Sequence, residues 1–173
     1  MITTGTQEAA ATTHWTVDPD RTVVDFAVRT FWGAMTVRGR FDTFDGRYEV
    51  GPDGTSIELT IDADSLDTGN AKRDQHLRSA DFFRVDDHPL VRFNSTRVRD
   101  SGNGRILVEG GLSAAGTVIP LRFDATVRQI GEELEMEATT TTDHRGFGMS
   151  GGLLGMIRSP ARMHVKARLA RAD

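Results

Sequence analysis

Cysteine is absent from the 173-residue chain, and with it go disulfides, thiolate nucleophiles and any zinc site built on sulfur. Lysine is nearly absent as well: Lys72 and Lys166 are the two candidates for Schiff-base chemistry. No stretch approaches the roughly 20 apolar residues of a membrane-spanning helix. Residues 1–13 lack the basic segment and apolar core of a secretory signal, so a soluble cytoplasmic protein is the expectation. Neither sign of charge dominates. The chain carries 21 Lys and Arg against 25 Asp and Glu, a net charge of -4, and the basic residues are dispersed among acidic ones, which argues against nucleic acid as a partner. The glycines between 146 and 155 do not follow a strand and open a helix, so they form no phosphate loop or dinucleotide fingerprint. His14, His88, His144 and His164 stand apart, without the close spacing of a metal site. Ser79, Ser95 and Ser159 lack the context of a hydrolase nucleophile. Neither a metal nor a cofactor is expected.

What remains is one soluble domain, with 38% hydrophobic and 27% charged residues, long enough to bury roughly 70% of its unfolded surface. Residues 1–13 read as a flexible tail and 14–170 as a single domain. Apolar residues recur with period two, the signature of strands with one buried face. Val24, Phe26 and Val28 alternate with polar or small residues, then Met35, Val37 and Phe41, then Ile57, Leu59 and Ile61. The pattern returns at Val91 and Phe93, Ile106 and Val108, Ile119 to Phe123, Leu134 to Ala138, and Met163 to Leu169. About eight strands joined by short turns predict an all-β, antiparallel sheet that hides its edges by closing into a barrel. Two segments depart from the alternation. Residues 70–83 favour one or two short helices, with Asn70 as N-cap. Residues 146–157 are glycine-rich and apolar at once, and suit a flexible portal.

A barrel of this size either fills its interior with side chains or keeps room for one small ligand. Periodicity alone favours the filled interior, since every β-barrel alternates in this way. The densest reactive group is Arg73-Asp74-Gln75-His76. On a helix Arg73 and His76 share a face and could hold an anionic head group, or Asp74 and His76 could act as an acid/base pair. Equally, the group could tie the helix to the barrel rim. Asp143-His144-Arg145 is a second cluster, at the edge of the apolar loop.

The run Thr68-Gly69, Arg73-Asp74-Gln75-His76-Leu77, Asp81-Phe82-Phe83 and Pro89-Leu90-Val91-Arg92-Phe93-Asn94-Ser95 resembles the signature of the YceI-like, polyisoprenoid-binding family. Trp15 with Val17-Asp18-Pro19, Val37-Arg38-Gly39-Arg40-Phe41 and Arg145-Gly146-Phe147-Gly148-Met149 support the likeness, which extends over residues 14–170. The resemblance implies an extended eight-stranded lipocalin-like barrel with a helical lid. Its interior would bind an isoprenoid or similar amphipathic lipid, a polyprenyl phosphate or an isoprenoid quinone, and carry or sequester it. On that reading the tail lies against Phe26, Val28, Phe41, Phe93, Phe123, Met136 and Val165, and Arg73 and His76 are head-group candidates. Family positions usually held by a His-Ser pair and a further His read Arg21-Thr22 and Thr30. A Gly-x-Thr-Lys-Pro motif reads Gly116-Thr117-Val118-Ile119-Pro120, and Ile119 in place of Lys favours a less charged ligand. The rival reading is an isomerase or cyclase on the same scaffold, with Asp74, His76 and His144 as acid/base candidates. Pairing into a homodimer is left open.

Overall fold

The alternating segments become strands almost throughout. The computed structural model describes residues 10–30, 34–149 and 157–173. Its strands are β1 (Thr13–Val17), β2 (Val23–Thr30), β3 (Met35–Phe41), β4 (Phe44–Gly51), β5 (Gly54–Asp62) and β6 (Leu66–Asp67), followed by β7 (Leu90–Gly102), β8 (Arg105–Ala114), β9 (Thr117–Ile130), β10 (Glu133–Thr142) and β11 (Ile157–Ala172). One α-helix, α1 (Ala71–Arg78), interrupts them between β6 and β7. Among the described residues no helix is long and apolar enough to cross a membrane.

The sheet order is β1-β4-β5-β7-β8-β9-β10-β11, and β11 pairs back onto β1 to close the ring. All pairings are antiparallel. The three further strands do not add places to this ring. β2 pairs with β11 beyond the stretch that β1 occupies, β3 pairs with β2, and β6 pairs with β3. Thus β1 with β2, β3 with β4, and β5 with β6 are each one kinked strand, and the molecule is an eight-stranded closed antiparallel barrel.

Each kink has a local cause. Between β1 and β2 lies the 3-10 turn Pro19–Arg21, where the Asp18 carboxylate accepts from the Asp20 N–H at 3.0 Å and proline fixes the first turn. Between β5 and β6 lies the turn Ala63–Ser65, capped in the same manner by Asp62, which accepts from the Asp64 N–H at 3.0 Å. The Ser65 hydroxyl then stitches this turn to the break between β3 and β4. It accepts from the Asp42 and Thr43 N–H groups at 3.1 and 3.0 Å and donates to the Asp62 carbonyl at 2.7 Å.

The hairpin β7–β8 turns on Asn103-Gly104, with φ of 56° and 72°, and β8–β9 on Ala115-Gly116, with φ of 50° and 82°. Two left-handed residues in a row match the twist of the flanking strands. Inside the barrel, Gly39 and Gly110 leave room for aromatic rings from the neighbouring strand. A Cβ at Gly39 would lie 2.4 Å from Phe26 Cζ, and one at Gly110 2.7 Å from Phe93 Cζ.

One end of the barrel is plugged by Tyr48, Leu134, Ala167 and Leu169, with Trp15 and Val17 packed against them. The other end lies under α1 and the turn after it, which contribute Leu77 and Phe82 to the main core. The Asn70 side chain caps the helix, accepting from the Arg73 N–H at 3.0 Å. Arg78 clips the helix to the kinked strand below it, donating to the Asp64 and Leu66 carbonyls at 3.0 and 2.9 Å. The outward acidic row of β10 is paired throughout: Glu133 with Arg21, Glu135 with Arg128 at 2.8 Å and Arg168 at 3.3 Å, and Glu137 with His164 at 2.8 Å.

Candidate functional site

Alternation aims every second side chain of each strand inward, and the inward set leaves two pockets lined mainly by apolar side chains. The first takes in about 900 Å³ of space free of atoms and the second about 700 Å³, both figures including space open to solvent. Leu112 and Met163 belong to the wall of both, so the two are neighbours.

Phe93, Phe123, Met136 and Val165 line the first pocket, together with Ile57, Leu59, Leu121 and Ala138. Phe26, Val28 and Phe41 line the second. Each of the seven tail candidates from the sequence therefore lines one or the other of two adjoining pockets, and the rings pair within them. Phe93 and Phe123 have centroids 5.4 Å apart, Phe26 and Phe41 5.3 Å, separations typical of favourable aromatic pairs. Arg47, Glu58 and Glu137 border the first pocket.

The lid side of the second pocket comes from Leu77 of α1, from Phe82 and Phe83, and from Phe147 and Met149. Phe83 stands edge-on to Phe41 at 5.9 Å. Sequence reasoning did not single out these residues as lining, because none sits on an alternating strand. Hydrophobic residues within an otherwise polar helical segment were the available signal. Of the portal expected over 146–157, Phe147 and Met149 are buried wall residues, and residues 150–156 lie outside the described part of the chain.

The reactive cluster on α1 lies elsewhere. Arg73 lines neither pocket; its guanidinium donates to the Thr68 hydroxyl at 2.8 Å and the Thr68 carbonyl at 2.7 Å. Asp74, 6% exposed, accepts from the N–H and the hydroxyl of the same Thr68. Together they lock the helix start to the segment before it. His76 also lines neither pocket. Its Nε2 stands 3.5 Å from Asp81 and its ring is edge-on to Phe82 at 5.2 Å.

His144 is placed differently. It opens the 3-10 turn His144–Phe147, is buried, and forms part of the second pocket's wall. Burial pushes its pKa below the ordinary 6.5 of an imidazole, so the ring is neutral at neutral pH. Its neighbours in the cluster bond to each other: the Arg145 guanidinium donates to both Asp143 oxygens, at 3.0 and 2.9 Å. Among the described residues no group of His, Asp and Glu is arranged to hold a metal ion.

A family model described as a YceI-like domain matches residues 15–169. A UPF0312 protein of Vibrio cholerae serotype O1 is 36% identical over 126 residues, which are 68% of this chain and 67% of that protein. The crystal structure of Burkholderia cenocepacia BcnA superposes with a TM-score of 0.80 at 19% identity, covering 88% of this chain and 98% of that one. A polyisoprenoid binding domain from Saccharophagus degradans, implicated in plant cell wall breakdown, superposes at 0.72 with 15% identity, covering 91% and 98%. At such identities the two structures share the barrel. With nearly the whole domain matched, the kinked eight-stranded barrel and its sequence motifs converge: the chain belongs to the YceI-like family.

Proposed function

We propose that the protein binds the hydrocarbon chain of an isoprenoid or similar amphipathic lipid along the barrel axis, and carries or sequesters it. One observation carries the reading. Two pockets walled almost wholly by aliphatic and aromatic side chains adjoin, with Leu112 and Met163 in the wall of both, which suits an extended apolar chain better than a compact polar metabolite. Burial of apolar surface contributes about 25 cal/mol per Å², so a few isoprene units supply strong binding without polar contacts. The polyisoprenoid-binding domain that shares the fold supports the same ligand class.

Native mass spectrometry of the purified protein, followed by solvent extraction and identification of the released molecule, tests this. A retained lipid with a long isoprenoid or comparable hydrocarbon chain is the expected result. A protein that emerges empty and then binds no apolar probe overturns the proposal.

A further inference from the structure

The polar end of such a ligand has a place in the structure as well, an inference that rests on the lipid-binding reading. Among the described wall residues of the second pocket, His144 and Thr142 are the two with nitrogen or oxygen in their side chains. His144 is 9% exposed, and its Nδ1 is the one buried side-chain nitrogen or oxygen among the described residues that lacks a hydrogen-bond partner. Buried polar atoms are nearly always satisfied, and an exception calls for a reason. Thr142, 7% exposed, makes a single long contact from its hydroxyl to the Met163 sulfur at 3.9 Å, where sulfur is a weak acceptor. Two under-used polar groups thus stand two residues apart in an otherwise apolar wall. A neutral imidazole offers one N–H and one lone pair, which suits a hydroxyl or a carbonyl. No Lys or Arg is among the described residues of this wall, so a phosphate placed there would lie buried without a counter-charge.

We infer that His144, with Thr142 beside it, is the polar anchor of the second pocket and receives a neutral hydroxyl or carbonyl at one end of the ligand, whose hydrocarbon body runs on past Leu112 and Met163.

Three probes of one carbon skeleton test the inference: geranylgeraniol, the corresponding hydrocarbon without the hydroxyl, and geranylgeranyl monophosphate. The alcohol is expected to bind the unaltered protein about tenfold more tightly than the hydrocarbon, the order of one buried hydrogen bond gained or left unmade, and more tightly than the monophosphate. His144→Phe is expected to lose the preference, so that the ratio of alcohol to hydrocarbon affinity falls from about tenfold to about one. Equal binding of alcohol and hydrocarbon, a preference that survives in His144→Phe, or tightest binding of the monophosphate overturns the anchor while leaving lipid binding intact. Binding of none of the three overturns the lipid reading itself. A readout independent of any variant comes from the imidazole nitrogens of the five histidines, followed by long-range 1H–15N spectra. The His144 resonances should move on addition of geranylgeraniol and stay still with the hydrocarbon; unmoved resonances with bound alcohol contradict the inference.

Discussion

His164 and His144 have opposite environments, and the sign of each follows from what its ring touches. His164 lies on the outer face between two carboxylates, 2.8 Å from Glu137 and 3.3 Å from Asp25. The hydrogen bond to Glu137 raises its pKa above 6.5. The folded state therefore holds this proton more tightly than the unfolded chain, so the stabilisation is full below about pH 6.5 and lost as pH rises through the raised folded value. His164→Gln should accordingly cost more stability at about pH 5.5 than at about pH 9, which urea midpoints at the two pH values would show; an equal loss at both would contradict the assignment. His144 runs the other way. Its lowered pKa gives a contribution present above the unfolded value and lost as pH falls through the folded one. Asp74 contributes through its hydrogen bonds to Thr68. Asp74→Ala leaves Thr68 without its acceptor in a buried place and should lower stability by about 2 kcal/mol, read as a fall in Tm and a frayed α1 start in the NMR spectrum. The residue types of the 73–76 cluster were legible in the sequence, as was the alternative that they tie the helix down. Their distance from the pockets was not, since it depends on Thr68 arriving beside Arg73 and Asp74 through the kinked strand ahead of them.

Among the elements, strands with clean alternation could be read directly, down to which face is buried. Val24, Phe26 and Val28 of β2 and Met136 and Ala138 of β10 all face the interior. β1, β4 and β6 could not be singled out in this way. β1 and β6 are too short to show a period, and in β4 an inward position is Gly46, which breaks the apolar series. The kinks were equally hidden, because each depends on a cap or a hydroxyl reaching across to another segment. Ser65 is the clearest case, and Ser65→Ala should destabilise the protein by about 1–2 kcal/mol by leaving the Thr43 N–H unmatched and the Asp42 N–H with the Ser65 carbonyl alone, at 3.2 Å. Hydrogen exchange is the direct check: the Thr43 amide should exchange faster in the variant, while amides of β8 and β9 keep their protection. Gly110→Ala tests close packing in the same spirit. The added methyl would collide with the Asn94 carbonyl as well as the Phe93 ring, so the variant should lose more than about 2 kcal/mol or fail to fold, whereas an unhindered Gly→Ala change in a strand gains roughly 0.5–1 kcal/mol.

At the scale of the whole molecule, eight strands and short turns were enough to imply closure, since a sheet so poor in helices has few other ways to remove its edges. Whether the closed barrel is full or hollow was not legible from periodicity, because alternation fixes which side chains point inward and not whether they reach across the lumen. Small residues on the inner face decide that, and Ala125, Ala138 and Ala167 in the first pocket leave the room that larger side chains would take. Ala138→Phe should therefore keep the fold while weakening the binding of a long prenol about tenfold or more, measurable in a titration beside the parent protein. The most direct test of the central claim is affinity against chain length in a series of prenols of two, three, four and six isoprene units. A lipid chain threaded through both apolar pockets, as proposed, predicts a gain of about 2 kcal/mol, roughly thirtyfold, with each added unit even if only half its carbons are buried, up to the length that passes Leu112 and Met163 and fills both pockets. Affinity that is flat with length, or absent at every length, would contradict it.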